Sequence, residues 1–464
     1  MVQHIYHYNV NSEQRYFLGK DHHDLYDMIA LNGNIVSHTP AGIAGFIATT
    51  AKPFYIDPQT HAFQHSTINL KRDKRSSEEK EQGKPPRYEF KPSIKKLAKE
   101  RLGGAFATVI DNDRPILPSD FIDERDNIIK ENIVKICEGT INFQTKTLFD
   151  SLDDEAKEFI GEKTDFQPKF AIAPYFYLSP RSYNKWLKIN IACYINSKEI
   201  CKDLPVFLAL VISKEALSKS SEGIIKKISE MDPIPDGIIL WIDEHIEEDL
   251  VDSEMNQFIN LLIHLKGITP TVYNSHGGYL SILLSHPEKA LLDGVGHSIN
   301  YGEHRNVIPI GGGIPMARFY FPSLHSRLRF GDALGIVLSR KWFLSQQIYM
   351  KEICSCRQCK ELIEDHKTID EAFSVYGDSY PVTFRRRPNT IVTLEYPTSE
   401  AKQAAAHHYL YNKTCEFGKL NEKSLADLLQ DMENAYDDIS PVSGDELVSH
   451  LYSWKTVLEK CITI

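Results

Sequence analysis

Eight short apolar runs, rich in β-branched and aromatic residues, set the strongest constraint on how this chain folds. They fall at residues 5–8, 25–30, 53–57, 170–175, 206–212, 237–243, 269–274 and 290–296. Most are followed by a helix-like stretch. The run from Val206 to Ile212 is apolar without alternation, the pattern of a strand buried on both faces of a parallel sheet. Between runs, Phe258, Leu261, Leu262 and Leu265 share one helical face. Ile128, Ile129, Ile133, Val134 and Ile136 also stand at helical spacing. Strand and helix alternating this often predict an α/β fold, and a (β/α)8 TIM barrel fits the count. An open doubly wound sheet is the alternative, but no Gly-x-Gly-x-x-Gly follows a first strand.

With 464 residues there is room for such a barrel and an appendage. The barrel is expected over 1–345, carrying an insertion around 66–165, and a helical C-terminal subdomain over 346–464. The charged, apolar-poor stretch 71–101 predicts an exposed, partly disordered part of that insertion. No run approaches the length of a membrane span, and the first residues lack a basic and apolar leader pattern. These features point to a cytoplasmic protein without a membrane partner. The 53 Lys and Arg against 63 Asp and Glu give a net charge of −10. A nucleic-acid partner would therefore need a local basic face.

Three of the eight cysteines fall within six residues, at Cys354, Cys356 and Cys359. Zinc takes four ligands in a tetrahedron, and a Cys-x-Cys-x-x-Cys turn supplies three thiolates. A structural Zn2+ site is the expectation, with a redox or simply buried cysteine cluster as the alternative. The other cysteines are scattered and read as free thiols.

In a barrel of this class, polar residues at the C-terminal strand ends carry the chemistry. Asp57 closes one run and is followed by Gln59, His61 and Gln64, a carboxylate with polar neighbours suited to acid/base or nucleophilic work. An Asp capping a turn before Pro58 accounts for the same residue. Asp243 closes another run and serves equally well as an acid at a helix N-terminus. Two loops are rich in polar groups: one with Asn274 and His276, the other with His297, Asn300, Glu303, His304 and Arg305. They read as substrate-facing. Arg318 and Arg327, among aromatics, and the run Arg385, Arg386 and Arg387 form candidate phosphate-tracking surfaces. Gly311, Gly312 and Gly313 lack a phosphate-loop lysine and read as a flexible turn.

With these strands, a strand-end Asp and the cysteine spacing, the chain resembles the tRNA-guanine transglycosylase superfamily, zinc-containing (β/α)8 enzymes that exchange one base for another. The resemblance implies a histidine as fourth zinc ligand. His408, followed by Leu410 and Glu416, fits that place, with His407 and His366 as alternates. It also implies an Asp opening an Asp-Ser-Gly-Gly-Phe-Gln motif; Asp57 keeps the Asp, with Phe63 and Gln64 behind it. No Asp stands where the family's nucleophile is expected, near His297, and the family's Gly-Gly-Leu loop is replaced by the stretch from Trp241 to His245. These departures point towards relatives that insert 7-deazaguanine bases into DNA. The implied reaction replaces guanine by a deazapurine in DNA, or in tRNA, using Asp57 with Asp243 or Glu303. The implied partners are nucleic acid, a deazapurine base and proteins of a DNA-modification system. A metal-dependent hydrolase lacks its His-x-His pair. A barrel serving only nucleic-acid binding or assembly is the remaining alternative.

Overall fold

A computed structural model describes residues 2–462 apart from 10–12, 14–16, 18–22, 163–165, 300–301, 309–315 and 388–389. Eight strands make one sheet: β1 (Gln3–Tyr8), β2 (Met28–Asn32), β3 (Phe54–Asp57), β4 (Ala171–Ile172), β5 (Val206–Ser213), β6 (Gly237–Asp243), β7 (Val272–Asn274) and β8 (Gly294–His297). Their order is β3-β2-β1-β8-β7-β6-β5-β4, and every neighbouring pair is parallel. The sheet curls into a nearly closed barrel whose seam lies between β3 and β4. Across the seam the Lys169 amide donates to the Phe54 carbonyl at 2.8 Å. Beyond the strand ends, side chains continue the closure. Thr60 Oγ1 donates to the Tyr175 carbonyl (2.7 Å), and Gln64 exchanges two hydrogen bonds with the Tyr177 backbone.

All eight expected runs contain a strand, with shifted ends. Leu25 ends a short 3-10 turn before β2, and residues 269–271 and 290–293 precede the ladders of β7 and β8. Alternation sorts each strand into an inner and an outer face. Ile5, Ala30, Tyr55, Ile172, Ala209, Val211, Ile239, Trp241 and Tyr273 pack together inside the barrel. On β8, Gly296 is required by space. A Cβ there would stand 2.3 Å from the Ser275 carbonyl oxygen and 2.5 Å from His7 Nε2.

Outside the barrel, helix Asp252–Ile268 buries Phe258, Leu261, Leu262 and Leu265, each worth about 1.5–3 kcal/mol of transfer free energy. Helix Lys130–Asp150 is fixed to β4 by Gln144, whose amide bonds both the N–H and the carbonyl of Ile172. Stretch 71–101, expected to be partly disordered, instead forms a hairpin of Lys71–Asp73 with Tyr88–Phe90, then helical turns that bury Ile94, Leu97, Ala98 and Leu102. Its charges are satisfied locally, by Arg75 on Asp73 and by a Ser76–Glu79 capping box.

The C-terminal part adds hairpin β9 (Arg318–Phe321) and β10 (Ser326–Arg329), hairpin β11 (Ser379–Arg387) and β12 (Thr390–Pro397), and three long helices. Helix Ser399–Glu422 lies against the outer faces of β1 and β8. Phe417 stacks on His4 with centroids 4.7 Å apart, and Thr414 Oγ1 donates to the Leu25 carbonyl. No helix among the described residues is long and apolar enough to cross a membrane.

Lys413 on this helix is fully buried between Glu303 (2.5 Å) and Glu416 (2.8 Å). Burial opposes charge on Glu416, but Lys413 and His325 outweigh it and hold this carboxyl at about 2. His325 Nδ1 lies 2.6 Å from Glu416; burial nevertheless keeps this imidazole below its ordinary value. The contact is therefore an Nδ1–H hydrogen bond to a carboxylate, not an ion pair. One cation thus serves two buried acids. Lys413→Met should destabilise the fold by about 3–5 kcal/mol at neutral pH in denaturant titration. A loss below about 1 kcal/mol would show that the network is not buried as described.

Candidate functional site

Two constellations emerge, one behind the barrel wall and one at its mouth. In the first, Cys354, Cys356, Cys359 and His408 are all buried, with their ligand atoms within 4.8 Å of one another. Cys356 ends its turn as the N-cap of helix Arg357–Asp365, which places Cys359 one turn along. His408 Nδ1 lies 3.4 Å from both Cys356 and Cys359 sulfurs. Tetrahedral zinc with ordinary Zn–S and Zn–N bonds requires S···N edges of about 3.5 Å. His408 Nε2 faces the Tyr320 carbonyl at 2.7 Å and must donate there, leaving Nδ1 free to ligate. The backbone N–H of Cys356 and the Asn412 amide both point at Cys354 Sγ. Three sulfurs and an imidazole nitrogen converging in a buried site form a donor set suited to a soft or borderline cation. The cluster can hold a metal ion such as zinc with four protein ligands and no open position, a structural arrangement. Of the alternates, His366 is half-exposed and its Nδ1 faces the Leu362 carbonyl, and His407 is not among the four clustered residues.

At the mouth, a narrow pocket is lined by His7, Tyr55, Asp57, Tyr175, Trp241 and Ser275 among others. Asp57 Oδ1 accepts from Tyr175 Oη at 2.6 Å and from the Gln59 amide at 3.0 Å. His61 Nδ1 stands 3.0 Å from the same Tyr175 hydroxyl, so tyrosine links the carboxylate to an imidazole. Burial raises the Asp57 carboxyl above its ordinary value, opposed by the hydrogen bonds of Tyr175 and Gln59 and by Arg305. Asp243 accepts from Tyr177 Oη (3.0 Å) and from the Val307 amide (2.8 Å). Gln59 and Glu244, beside the two aspartates, have left-handed backbones at φ 53° and 57°. Strain of this kind persists where the surroundings impose it, and it gathers at functional sites.

Four histidines crowd this region. His7 stacks on His276 at 4.4 Å, and His276 and His61 each meet Trp241 edge-on. Burial holds His61 and His276 well below 6.5 and His7 down to about 3, while His65 is lowered less. All four are neutral near pH 7. Arg305 brings a positive charge to the mouth, with its guanidinium 5.5 Å over the Trp241 ring.

Several expected residues sit elsewhere. Gln64 is occupied by the Tyr177 backbone across the seam. Asn274 alternates with the inward Tyr273 and Ser275, and its amide donates to Ser281 on the outer side. His297 likewise points outward, with Nε2 2.6 Å from His4 Nε2 beneath Phe417. Glu303 belongs to the Lys413 network rather than the mouth. Arg318 and Arg327 lie on neighbouring strands of the β9–β10 hairpin; Arg327 covers Tyr409 at 4.4 Å, and Arg318 is exposed. Asn300 and Gly311–Gly313 fall outside the described residues, as do the side chains of Arg385, Arg386 and Arg387. Tyr175, Tyr177, Trp241 and His7 were not singled out from the sequence. Their inward register on apolar strands, or just beyond one, was the available signal.

Comparisons with protein-family models, with curated proteins and with solved structures give no match to this chain.

Two expectations follow. The purified protein should carry one zinc per chain by elemental analysis, and Cys356→Ser should lose the metal and melt well below the parent. A metal-free chain of undiminished stability would contradict this. For Asp57, a folded carboxyl raised above its unfolded value contributes stability fully present below the unfolded value and lost as pH rises through the folded one. Asp57→Asn should therefore gain melting temperature relative to the parent between pH 4 and 7. A gap that moves the other way would mean that Asp57 is stabilised as an anion.

Proposed function

We propose that the chain is a base-exchange transglycosylase, a (β/α)8 barrel with a zinc-bound C-terminal subdomain that replaces guanine by a 7-deazaguanine base in DNA. The observation that carries this reading is Asp57, a strand-end carboxylate lining an aromatic pocket at the mouth of a parallel eight-stranded barrel. Two further features support it: the Cys3His cluster has the spacing of the family that the sequence resembles, and Asp243 lies on the same rim.

In this reading one aspartate attacks the anomeric carbon of a deoxyguanosine. The C–N bond breaks, and guanine leaves with the electron pair and takes up a proton. The incoming deazapurine then attacks the same carbon and frees the carboxylate. Two carboxylates meet the usual needs of glycosyl transfer, one as nucleophile and one as acid and base. Tyr175 would orient Asp57, and Trp241 offers a ring for a base extruded from its stack. Arg305 supplies positive charge near the phosphates. The zinc cluster, being closed, would hold the C-terminal helix rather than take part.

A second reading has support of its own. Asp243 is engaged by the chain's own Val307 amide, and among the described residues no carboxylate follows β8 directly, where the family would place one. This favours a barrel that binds nucleic acid without exchanging bases.

Incubation with labelled guanine or a labelled 7-deazaguanine, using DNA duplexes and tRNA, separates the two. Incorporation into DNA is expected, falling by about 100-fold or more in Asp57→Asn. Salt-sensitive binding with no incorporation into any polymer would establish the second reading instead.

A further inference from the structure

The chain following β8 does not simply run over the surface, as connecting segments ordinarily do. After a turn in which Ser298 and Gly302 exchange two backbone hydrogen bonds, residues 304–307 cross the barrel mouth. Val307 is 3% exposed and packs in the apolar cluster of the barrel interior, with Ile5, Tyr55, Tyr175 and Trp241. Among the described residues it is the buried member of that cluster contributed from beyond β8. Its N–H donates to Asp243 Oδ1 at 2.8 Å, and the Arg305 carbonyl accepts from Trp241 Nε1 at 2.8 Å. The Arg305 guanidinium covers the Trp241 ring. The segment therefore occupies, with one backbone donor, one backbone acceptor and one apolar side chain, the groups at the mouth best placed to read a ligand.

We propose that residues 304–307 are a built-in occupant of the mouth, displaced when a ligand enters, and that the ligand presents the edge the segment now presents. That edge is an N–H for Asp243 beside a carbonyl for Trp241, on a flat body able to lie among Tyr55, Tyr175 and the indole. A lactam heterocycle such as guanine has this edge in its ring N–H and carbonyl; 9-methylpurine, which has no N–H, does not. The occlusion stands on the contacts alone, whereas guanine as the probe rests on the base-exchange reading. Because the occupant competes with the ligand, apparent affinity is reduced by the fraction of molecules in which the mouth is covered.

Val307→Gly tests this without altering Asp57, Asp243 or Trp241. In the full-length zinc-loaded chain, guanine binding by calorimetry should tighten about tenfold over the parent, because the lost apolar contact weakens the competitor. Trypsin cleavage after Arg305 should quicken when guanine is added and stay unchanged with 9-methylpurine. In the free protein, the Val307 amide should exchange with deuterium at least about 100-fold faster than the Leu240 amide of β6, as a locally opening segment does. A Val307 amide as protected as Leu240, or guanine affinity unchanged or weakened in Val307→Gly, would make the segment a fixed wall and overturn the occlusion. Failure of guanine to bind either protein would overturn the lactam assignment. These readouts are independent of turnover. A chain that exchanges bases while its Arg305 cleavage ignores guanine would refute the displaced occupant and leave base exchange standing. Displacement without exchange would do the reverse.

Discussion

Helix Ser399–Glu422 is where the two halves of the structure are held together, and it does so through two buried electrostatic centres five residues apart. At His408 it completes a set of three thiols that favours a metal cation. At Lys413 it supplies the cation that two buried carboxylates require. Neither centre tolerates the loss of its partner, because an isolated charge away from water costs several kcal/mol. Tyr320 joins them: its carbonyl orients His408, and its hydroxyl donates to Glu416. Glu303, held by Lys413, lies just before the segment that crosses the mouth. The C-terminal helix therefore anchors the root of that segment, which links a closed structural site to the open end of the barrel.

The mouth itself is an acid site in a neutral frame. Burial removes the charge from its histidines, so they act as hydrogen-bonding and stacking groups rather than cations. Asp57, Asp243 and Arg305 stand among them. Tyr175 is shared between Asp57 and His61, so a proton change at either would be felt by the other. This arrangement suits a group that must exist both as carboxylate and as acid during one reaction.

The strands were legible because burial on both faces demands apolar side chains at every position, and β5 shows that pattern without interruption. The cysteine turn was legible because metal geometry dictates local spacing. His408 was reached through resemblance, and its place beside the three cysteines follows from helix Ser399–Glu422. The mouth was harder to read. Asp57 stood out as a polar ending to an apolar run, but its partner Tyr175 lies 118 positions away, across a seam that only barrel closure creates. Asn274 and His297 were chosen for being polar near strand ends, yet the two-residue period turns both outward while Ser275 and Gly296 face in. Glu303 looked like a rim acid because nothing in its neighbourhood announces a lysine 110 residues later.

Base exchange through a covalent intermediate requires one atom of the protein to bond to the sugar. Denaturing the protein during incubation with a deoxyguanosine-containing oligonucleotide, then mapping any adducted peptide by mass spectrometry, addresses it directly. The account predicts a covalent DNA adduct on a strand-end aspartate at the barrel mouth, Asp57 or Asp243, formed with release of guanine. Guanine release with an adduct on any residue outside the mouth, or exchange that proceeds with no adduct at all, would contradict it.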